Sequence, residues 1–245
     1  MQGGLMTNPT AAMLVIGDEI LSGRTRDANM YYLAGQLTEQ GIDLKEVRVV
    51  SDDPAAIIAA TRALSDSYTH VFTSGGIGPT HDDITANCIA EAFGATIGIR
   101  DDARAILQDH YDTQKQPLNE ARLRMARIPD GATLIDNPVS KAPGFTLRNV
   151  HVMAGVPSIF QAMVASALPS LSGGEPLISR TYRVERGEGD IAAPLGALAH
   201  AFPALSIGCY PFQKDGLFGA NVVIRGTDAD MLNQAMAQLE AEFPI

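Results

Sequence analysis

Residues Ala11–Ile16 form an unbroken apolar run that stops at Gly17. A strand with no polar position cannot turn one face to water, so it is buried on both, as strands of a parallel sheet are. The matching helical half follows. Asp27 to Gln40 carries Met30, Leu33, Ala34 and Leu37 close to helical period and stops at Gly41. Leu44–Val50 reads as a second strand and residues 54–66 as a second helix, with Asp53 at the N-cap and Pro54 in the first turn. His70–Thr73 is a third strand, and Thr85–Phe93, closed by Gly94, a third helix. This alternation implies right-handed crossovers, and so an α/β class with a doubly wound, mostly parallel sheet.

Asp101 to Arg127 is helical in pattern but interrupted at Pro117, which predicts two helices. Ala132–Ile135 and Phe145–Leu147 are short strand candidates, and between them lie the turn chemistries Asn137-Pro138 and Ala142-Pro143-Gly144. Val150–Ala154 is a further strand, followed by Gly155-Val156-Pro157 and a helix to about Leu168. Pro169 to Pro176 has linker composition. Beyond it the pattern is strand (178–185), helix (191–201), two strands (205–210 and 220–225) and helix (229–242), a small C-terminal α+β module. The expected organisation is a tail over 1–10, a main domain over 11–170 and the module over 177–245. Gly216-Leu217-Phe218-Gly219 has the spacing of an RNA-binding G-x-x-G loop, but it joins two strands rather than two helices and reads as a hairpin turn.

Charge and cysteine usage exclude several classes. A net charge of −10 opposes sequence-independent binding to nucleic acid or to anionic membranes, while leaving room for a local basic pocket. No apolar run approaches the length of a membrane span, and residues 1–6 have neither the basic nor the apolar region of a signal peptide, so a cytoplasmic protein is expected. Cys88 and Cys209 are far apart, match no metal-knuckle spacing, and read as free thiols.

The chemistry concentrates in Ser74-Gly75-Gly76-Ile77-Gly78-Pro79-Thr80-His81-Asp82-Asp83-Ile84-Thr85. A glycine-rich turn between strand and helix offers backbone amides to a phosphate, yet this one ends in two carboxylates that repel it; a divalent cation reconciles the two. The loop lacks the lysine of a Walker A sequence and the third glycine of a dinucleotide fingerprint. Its residues are equally satisfied by a tight turn in which Asp83 or Thr85 caps the next helix. Gly17-Asp18-Glu19 and Asp52-Asp53 also follow predicted strands, which puts Asp18, Glu19, Asp52 and Asp83 on the carboxyl edge where doubly wound sheets bind ligands. Each taken singly is also explained as a cap or a solvated charge. His81 is best read as a solvated loop residue, since one histidine makes no metal site.

Gly17-Asp18-Glu19-Ile20-Leu21-Ser22-Gly23, Asp27-Ala28-Asn29, Ser51-Asp52-Asp53 and the Ser74–Thr85 loop resemble the molybdopterin-binding domain family of MoaB, MogA and MoeA. Asn119, Pro129-Asp130-Gly131, Asn137-Pro138, Ala142-Pro143-Gly144-Phe145 and Gly155-Val156-Pro157 extend the resemblance to the CinA-type branch, over about residues 12–168. The resemblance implies catalytic and metal roles for Asp83 and Asp52. It implies phosphate or ligand contacts from Gly17, Asp18, Glu19, Ser74, Gly75, Gly76, Gly78, Pro79, Thr80 and Gly155. It further implies Mg²⁺ or another divalent metal, often with potassium, a nucleotide or pterin as the small-molecule partner, and a homo-oligomer, dimer or trimer.

Two departures stand out. Ser140-Lys141 replaces the usual Gly-Thr, so Lys141 offers a cation to phosphate, and Met153-Ala154 replaces Leu-Pro. The resemblance implies metal-dependent hydrolysis of nucleotide pyrophosphates such as ADP-ribose. The alternatives are a pterin-binding or adenylyl-transferring role in molybdenum-cofactor biosynthesis, and a non-catalytic nucleotide- or pterin-binding protein. Because the sequence stops at Ile245, the nicotinamide-mononucleotide deamidase activity of longer CinA proteins is expected to be absent.

Overall fold

The computed structural model describes residues 8–214 and 216–244. It divides into two compact units, Met1–Gly174 and Glu175–Ile245. The expected tail lies outside the described residues up to Thr7, and Thr10 already belongs to the first strand.

In the first unit, β1 (Thr10–Ile16) leads through the short α1 (Asp18–Leu21) to α2 (Asn29–Glu39), then β2 (Asp43–Val50), α3 (Pro54–Ser67), β3 (His70–Ser74) and α4 (Thr85–Phe93). Next come β4 (Ile97–Ile99), α5 (Asp101–Thr113), α6 (Glu120–Leu123), β5 (Arg127–Pro129), β6 (Thr133–Ile135), β7 (Gly144–Leu147), β8 (Val150–Met153) and α7 (Pro157–Ala167). The main sheet has the order β2-β1-β3-β8-β7-β6. Its first four strands are parallel, β7 alone runs the other way, antiparallel to β8 and to the edge strand β6, and the sheet is mostly parallel as expected.

The all-apolar run of β1 is explained by two helical layers. Ala12, Leu14 and Ile16 enter a core shared with Ile57 and Leu64 of α3, Ile89 of α4 and Leu107 of α5. Ala11, Met13 and Val15 point the other way, into a core with Leu33 and Leu37 of α2 and Phe160 and Met163 of α7. Alternate side chains of one strand thus leave opposite faces, and from Ala11 to Ile16 every one is buried. Truncating a fully buried leucine such as Leu14 to alanine costs about 2–5 kcal/mol in such a core.

The segment after α5 departs from expectation. Asp101–Thr113 is a helix, but Glu120–Leu123 makes a single turn that tightens into a 3-10 turn over Arg124–Ala126. Arg127–Pro129 then becomes a strand antiparallel to Ile97–Ile99, a pairing with no periodic signal because each partner is three residues long. Pro117 ends the helical pattern, and tertiary pairing takes what remains.

In the second unit the order is β9 (Ile178–Val184), α8 (Glu188–Ala201), β10 (Ser206–Lys214), β11 (Leu217–Gly226) and α9 (Ala229–Glu242), with the sheet order β10-β11-β9. Both pairings are antiparallel. Ala220, Val222 and Ile224 of β11 pack with Ile191 and Leu198 of α8 and Leu232 and Leu239 of α9. The expected strand-helix-strand-strand-helix order is present, with a longer hairpin. Gly216 has φ 80° at the hairpin turn and Asp215 lies outside the described residues; Leu217–Gly219 pair with β10 and are strand rather than loop.

Candidate functional site

The four parallel strands end level with one another. Val15 pairs with Val49 on one side and Ser74 on the other, and Ser74 pairs with Met153. One step further, the Gly17 amide donates to the Val50 carbonyl at 3.1 Å and the Gly75 amide to the Met153 carbonyl at 3.2 Å. Four loops therefore leave a single edge, beginning at Gly17, Ser51, Gly75 and Ala154.

Glycine is required where these loops crowd. Gly75, at φ 108°, lies so close to β1 that a Cβ would strike the Ile16 carbonyl. Gly76, at φ 69°, leaves room for Thr85, whose buried hydroxyl donates to the Gly75 carbonyl at 2.9 Å while its amide donates to the Gly76 carbonyl at 2.9 Å. Thr85 thus reaches back to hold the glycine turn. Ile84 occupies the N-cap of α4 with no side-chain cap, so neither Thr85 nor Asp83 serves that helix as a cap.

Asp83 is bound to its own loop instead. Its Oδ2 accepts from the Thr80 amide at 2.7 Å and from the Thr80 hydroxyl at 2.5 Å. The same carboxylate lies against Gly78, where a Cβ would stand 2.7 Å from Oδ2. Pro79, Thr80 and His81 are exposed, and His81 Nδ1 lies 3.9 Å from Asp82 Oδ1.

The second acidic group is built separately. The Asp18 amide donates to Asp52 Oδ2 at 3.0 Å, which fastens α1 to the end of β2. Glu19 folds its carboxylate over Gly17, filling the space of a missing Cβ. Asp53 caps α3 by accepting from the Ala56 amide at 2.8 Å. Ser74 and Gly155 are joined by buried Asn29, whose Nδ2 donates to Ser74 Oγ at 2.7 Å and to the Gly155 carbonyl at 2.8 Å. With its hydroxyl committed to Asn29 and only 3% of its surface exposed, Ser74 supports the loop from beneath.

Lys141 sits in the left-handed region at φ 62°, with its amide donating to the Asn137 carbonyl at 2.9 Å. Asn137, buried, ties this loop through bonds to Val139, Ser140 and Ala142.

A cleft opens where the glycine turn meets the segment after α5. Gly76, Ile77, Gly78 and Asp83 form one side; Ala86 and Asn87 of α4, Arg124, Met125, Arg127 and Ile128, with Pro143 and Phe145, form the rest. Asp83, Gly76 and Gly78 are thereby brought together, and Lys141 is not among the lining residues. No sequence motif marks Asn87, Arg124 or Arg127, and the helical pattern from Asp101 puts Arg127 at a helix end rather than at a cleft.

A divalent ion fits the cleft in one form. Among the described residues no group of three or more His, Cys, Asp or Glu side chains converges. Magnesium commonly binds through one or two carboxylates, with water and substrate phosphate completing its shell, and Asp83 can supply that one carboxylate. Asp52 holds the Asp18 amide on the far side of β1 from β3, and no described contact joins it to Asp83.

Two family models match the chain: a probable molybdopterin-binding domain over residues 12–173 and the middle domain of FAD synthase over residues 176–245. A protein of Metallosphaera sedula is 37% identical over 164 residues, covering 65% of this chain and 62% of that one. A "Probable FAD synthase" of Caenorhabditis elegans is 30% identical over 255 residues, covering 94% of this chain and 49% of that protein, so the chain spans about half the worm protein's length. Among solved structures, CinA from Thermoplasma acidophilum, described as of unknown function, is 32% identical with a TM-score of 0.61 and covers 67% of this chain and 98% of its own. The glycine turn at the carboxyl edge of a mostly parallel sheet and these matches agree: the chain belongs to the molybdopterin-binding domain family, in its CinA-type branch.

Proposed function

We propose that this protein hydrolyses nucleotide pyrophosphates, cleaving the P–O–P bond of molecules such as ADP-ribose or FAD. The observation that carries the reading is the cleft in which Asp83, held by Thr80, lines one side together with Gly76, Ile77 and Gly78 of the glycine turn at the carboxyl edge of the sheet. FAD enters because the worm relative is named a probable FAD synthase and the second unit matches that enzyme's middle domain.

The residues divide the work. Thr80 directs two donors at Oδ2 of Asp83, fixing the carboxylate so that Oδ1 carries the remaining free lone pairs. Asp83 then orients a water for attack on phosphorus and accepts its proton. The backbone amides of Gly76, Ile77 and Gly78 bind the phosphoryl oxygens as charge grows on them, since Pro79 has no N–H and the Thr80 amide is held by Asp83. Water adds its oxygen to one phosphorus, the bridging oxygen leaves with the other phosphate, and FAD would yield FMN and AMP. A divalent ion held by Asp83 would neutralise phosphate charge and acidify water.

Purified protein with Mg²⁺, Mn²⁺ or Co²⁺ is expected to cleave at least one of ADP-ribose, FAD, NADH and coenzyme A. No turnover of any of them, or an Asp83→Asn variant as active as wild type, ends the proposal. The match to a probable molybdopterin-binding domain supports a second reading, pterin binding with or without adenylyl transfer. Pterin fluorescence that changes on titration, with no nucleotide cleavage, would favour it.

A further inference from the structure

The chain carries a net charge of −10, and several arginines of the first unit have structural partners away from the cleft. Arg48 pairs with Glu46, Arg100 with Asp102, Arg62 with the Glu91 and Ala92 carbonyls, Arg122 with the Pro117 carbonyl, and Arg148 lies over the Phe93 ring. Arg124 and Arg127 are the arginines that line the cleft containing Asp83, and neither has a carboxylate partner among the described residues. Arg127, half-buried at the start of β5, donates from Nη2 to Asn87 Oδ1 at 3.1 Å, which ties it to α4 while leaving its charge uncompensated. Arg124, in the adjoining 3-10 turn, has no side-chain bond among the described residues. With Asp83 the lining is net positive inside a strongly acidic molecule.

We infer that Arg124 and Arg127 form a phosphate subsite opposite the Gly76–Thr80 turn, so that the ligand is one with two adjacent phosphates rather than a monophosphate. This rests on the proposed pyrophosphate chemistry for its occupant, though not for its existence. A guanidinium presents paired donors that match two phosphate oxygens, and a turn of amides suits a single phosphate. Two such subsites flanking Asp83 bracket a P–O–P bridge. The short β4–β5 pairing is what brings Arg127 to the cleft, since Ile99 pairs with Arg127 and the Arg100 amide donates to the Ala126 carbonyl at 3.0 Å.

The test is calorimetric titration of the full chain with inorganic pyrophosphate and with inorganic phosphate, with and without Mg²⁺, on wild type, Arg127→Ala, Arg127→Lys and Arg124→Ala/Arg127→Ala. Wild type is expected to bind pyrophosphate at least tenfold more tightly than phosphate. Arg127→Ala should weaken pyrophosphate about tenfold, the double variant more, and Arg127→Lys less than Arg127→Ala, with melting temperatures unchanged. Pyrophosphate affinity within twofold of wild type in the double variant overturns the subsite, as does no pyrophosphate binding by wild type. If ADP-ribose is cleaved while the double variant keeps its affinity, the subsite fails and the hydrolase reading stands. If nothing is cleaved yet pyrophosphate binding depends on the arginines, the reverse holds.

Discussion

Thr80 gives both its amide and its hydroxyl to one oxygen of Asp83, at 2.7 and 2.5 Å, and so spends two donors of an exposed loop on fixing a single carboxylate. Asp83→Asn should lower kcat at least about 100-fold, the scale of a lost general base. Thr80→Ala keeps the amide bond and should lose less, about tenfold, with KM little changed. Steady-state kinetics on both variants, with melting curves to show intact folding, check this; equal losses for the two would argue that Thr80 itself meets the substrate.

Asp52 holds the Asp18 amide at 3.0 Å. Asp52→Ala removes the acceptor and should cost about 1 kcal/mol. Asp52→Asn retains a carbonyl oxygen and should restore most of that stability, with kcat within about threefold of wild type. A loss of 100-fold or more in a stable Asp52→Asn would instead make Asp52 a metal ligand.

Lys115 ends α5 at φ 54°, its amide donating to the Asp112 carbonyl and the Gln116 amide to the Tyr111 carbonyl. This is the left-handed helix stop that glycine fills without strain. Lys115→Gly should therefore stabilise the protein by roughly 0.5–1 kcal/mol. Chemical denaturation at neutral pH reads the difference, and a destabilised variant would show that the Lys115 side chain contributes more than its strain costs.

Burial drives the His151 imidazole down to about 3, with the neighbouring His70 adding to the effect. Its Nδ1 meets the Thr146 hydroxyl at 2.9 Å and its Nε2 meets His70 Nδ1 at 3.3 Å. The unfolded chain takes up this proton near 6.5 and the folded chain does not until about 3, so stability falls as pH falls through that window. The slope approaches about 1.4 kcal/mol per pH unit, and burial lowers His70 in the same direction. Urea unfolding between pH 7 and 5 should show this loss in wild type and a flatter profile in His151→Gln. Equal slopes would assign the effect elsewhere.

Burial also pushes the Cys88 thiol up to about 11, in keeping with a free thiol packed beside Ile89 on α4 rather than a reactive one. Thiol titration of the native protein should leave Cys88 unmodified on the timescale in which the half-buried Cys209 reacts.

The parallel core was legible because its signals are local and strong. Ala11–Ile16 is apolar at every position, which only burial on both faces satisfies, and Gly41 and Gly94 stop helices with positive φ as their positions imply. Asp53 and Pro54 begin α3 for reasons contained in five residues. Strands of three residues were not legible. Ile97–Ile99 and Arg127–Pro129 exist because they pair with each other, and the helical pattern that ends at Arg127 covers only the first residue of the second.

At the site the division is the same. The order of apolar run, glycine turn and helix determined from sequence alone that Gly17, Asp52 and Gly75 would share one sheet edge, because a parallel strand can only be re-entered from its opposite end. Only the tertiary structure decided which acidic residues act together. Asp52 turned to the Asp18 amide and Asp83 to Thr80, and the ladder of Ile97–Ile99 with Arg127–Pro129 delivered Arg127 to the cleft beside Asp83. Side-chain bonds between distant segments depend on loop paths, and loop paths are set by packing that no local pattern encodes.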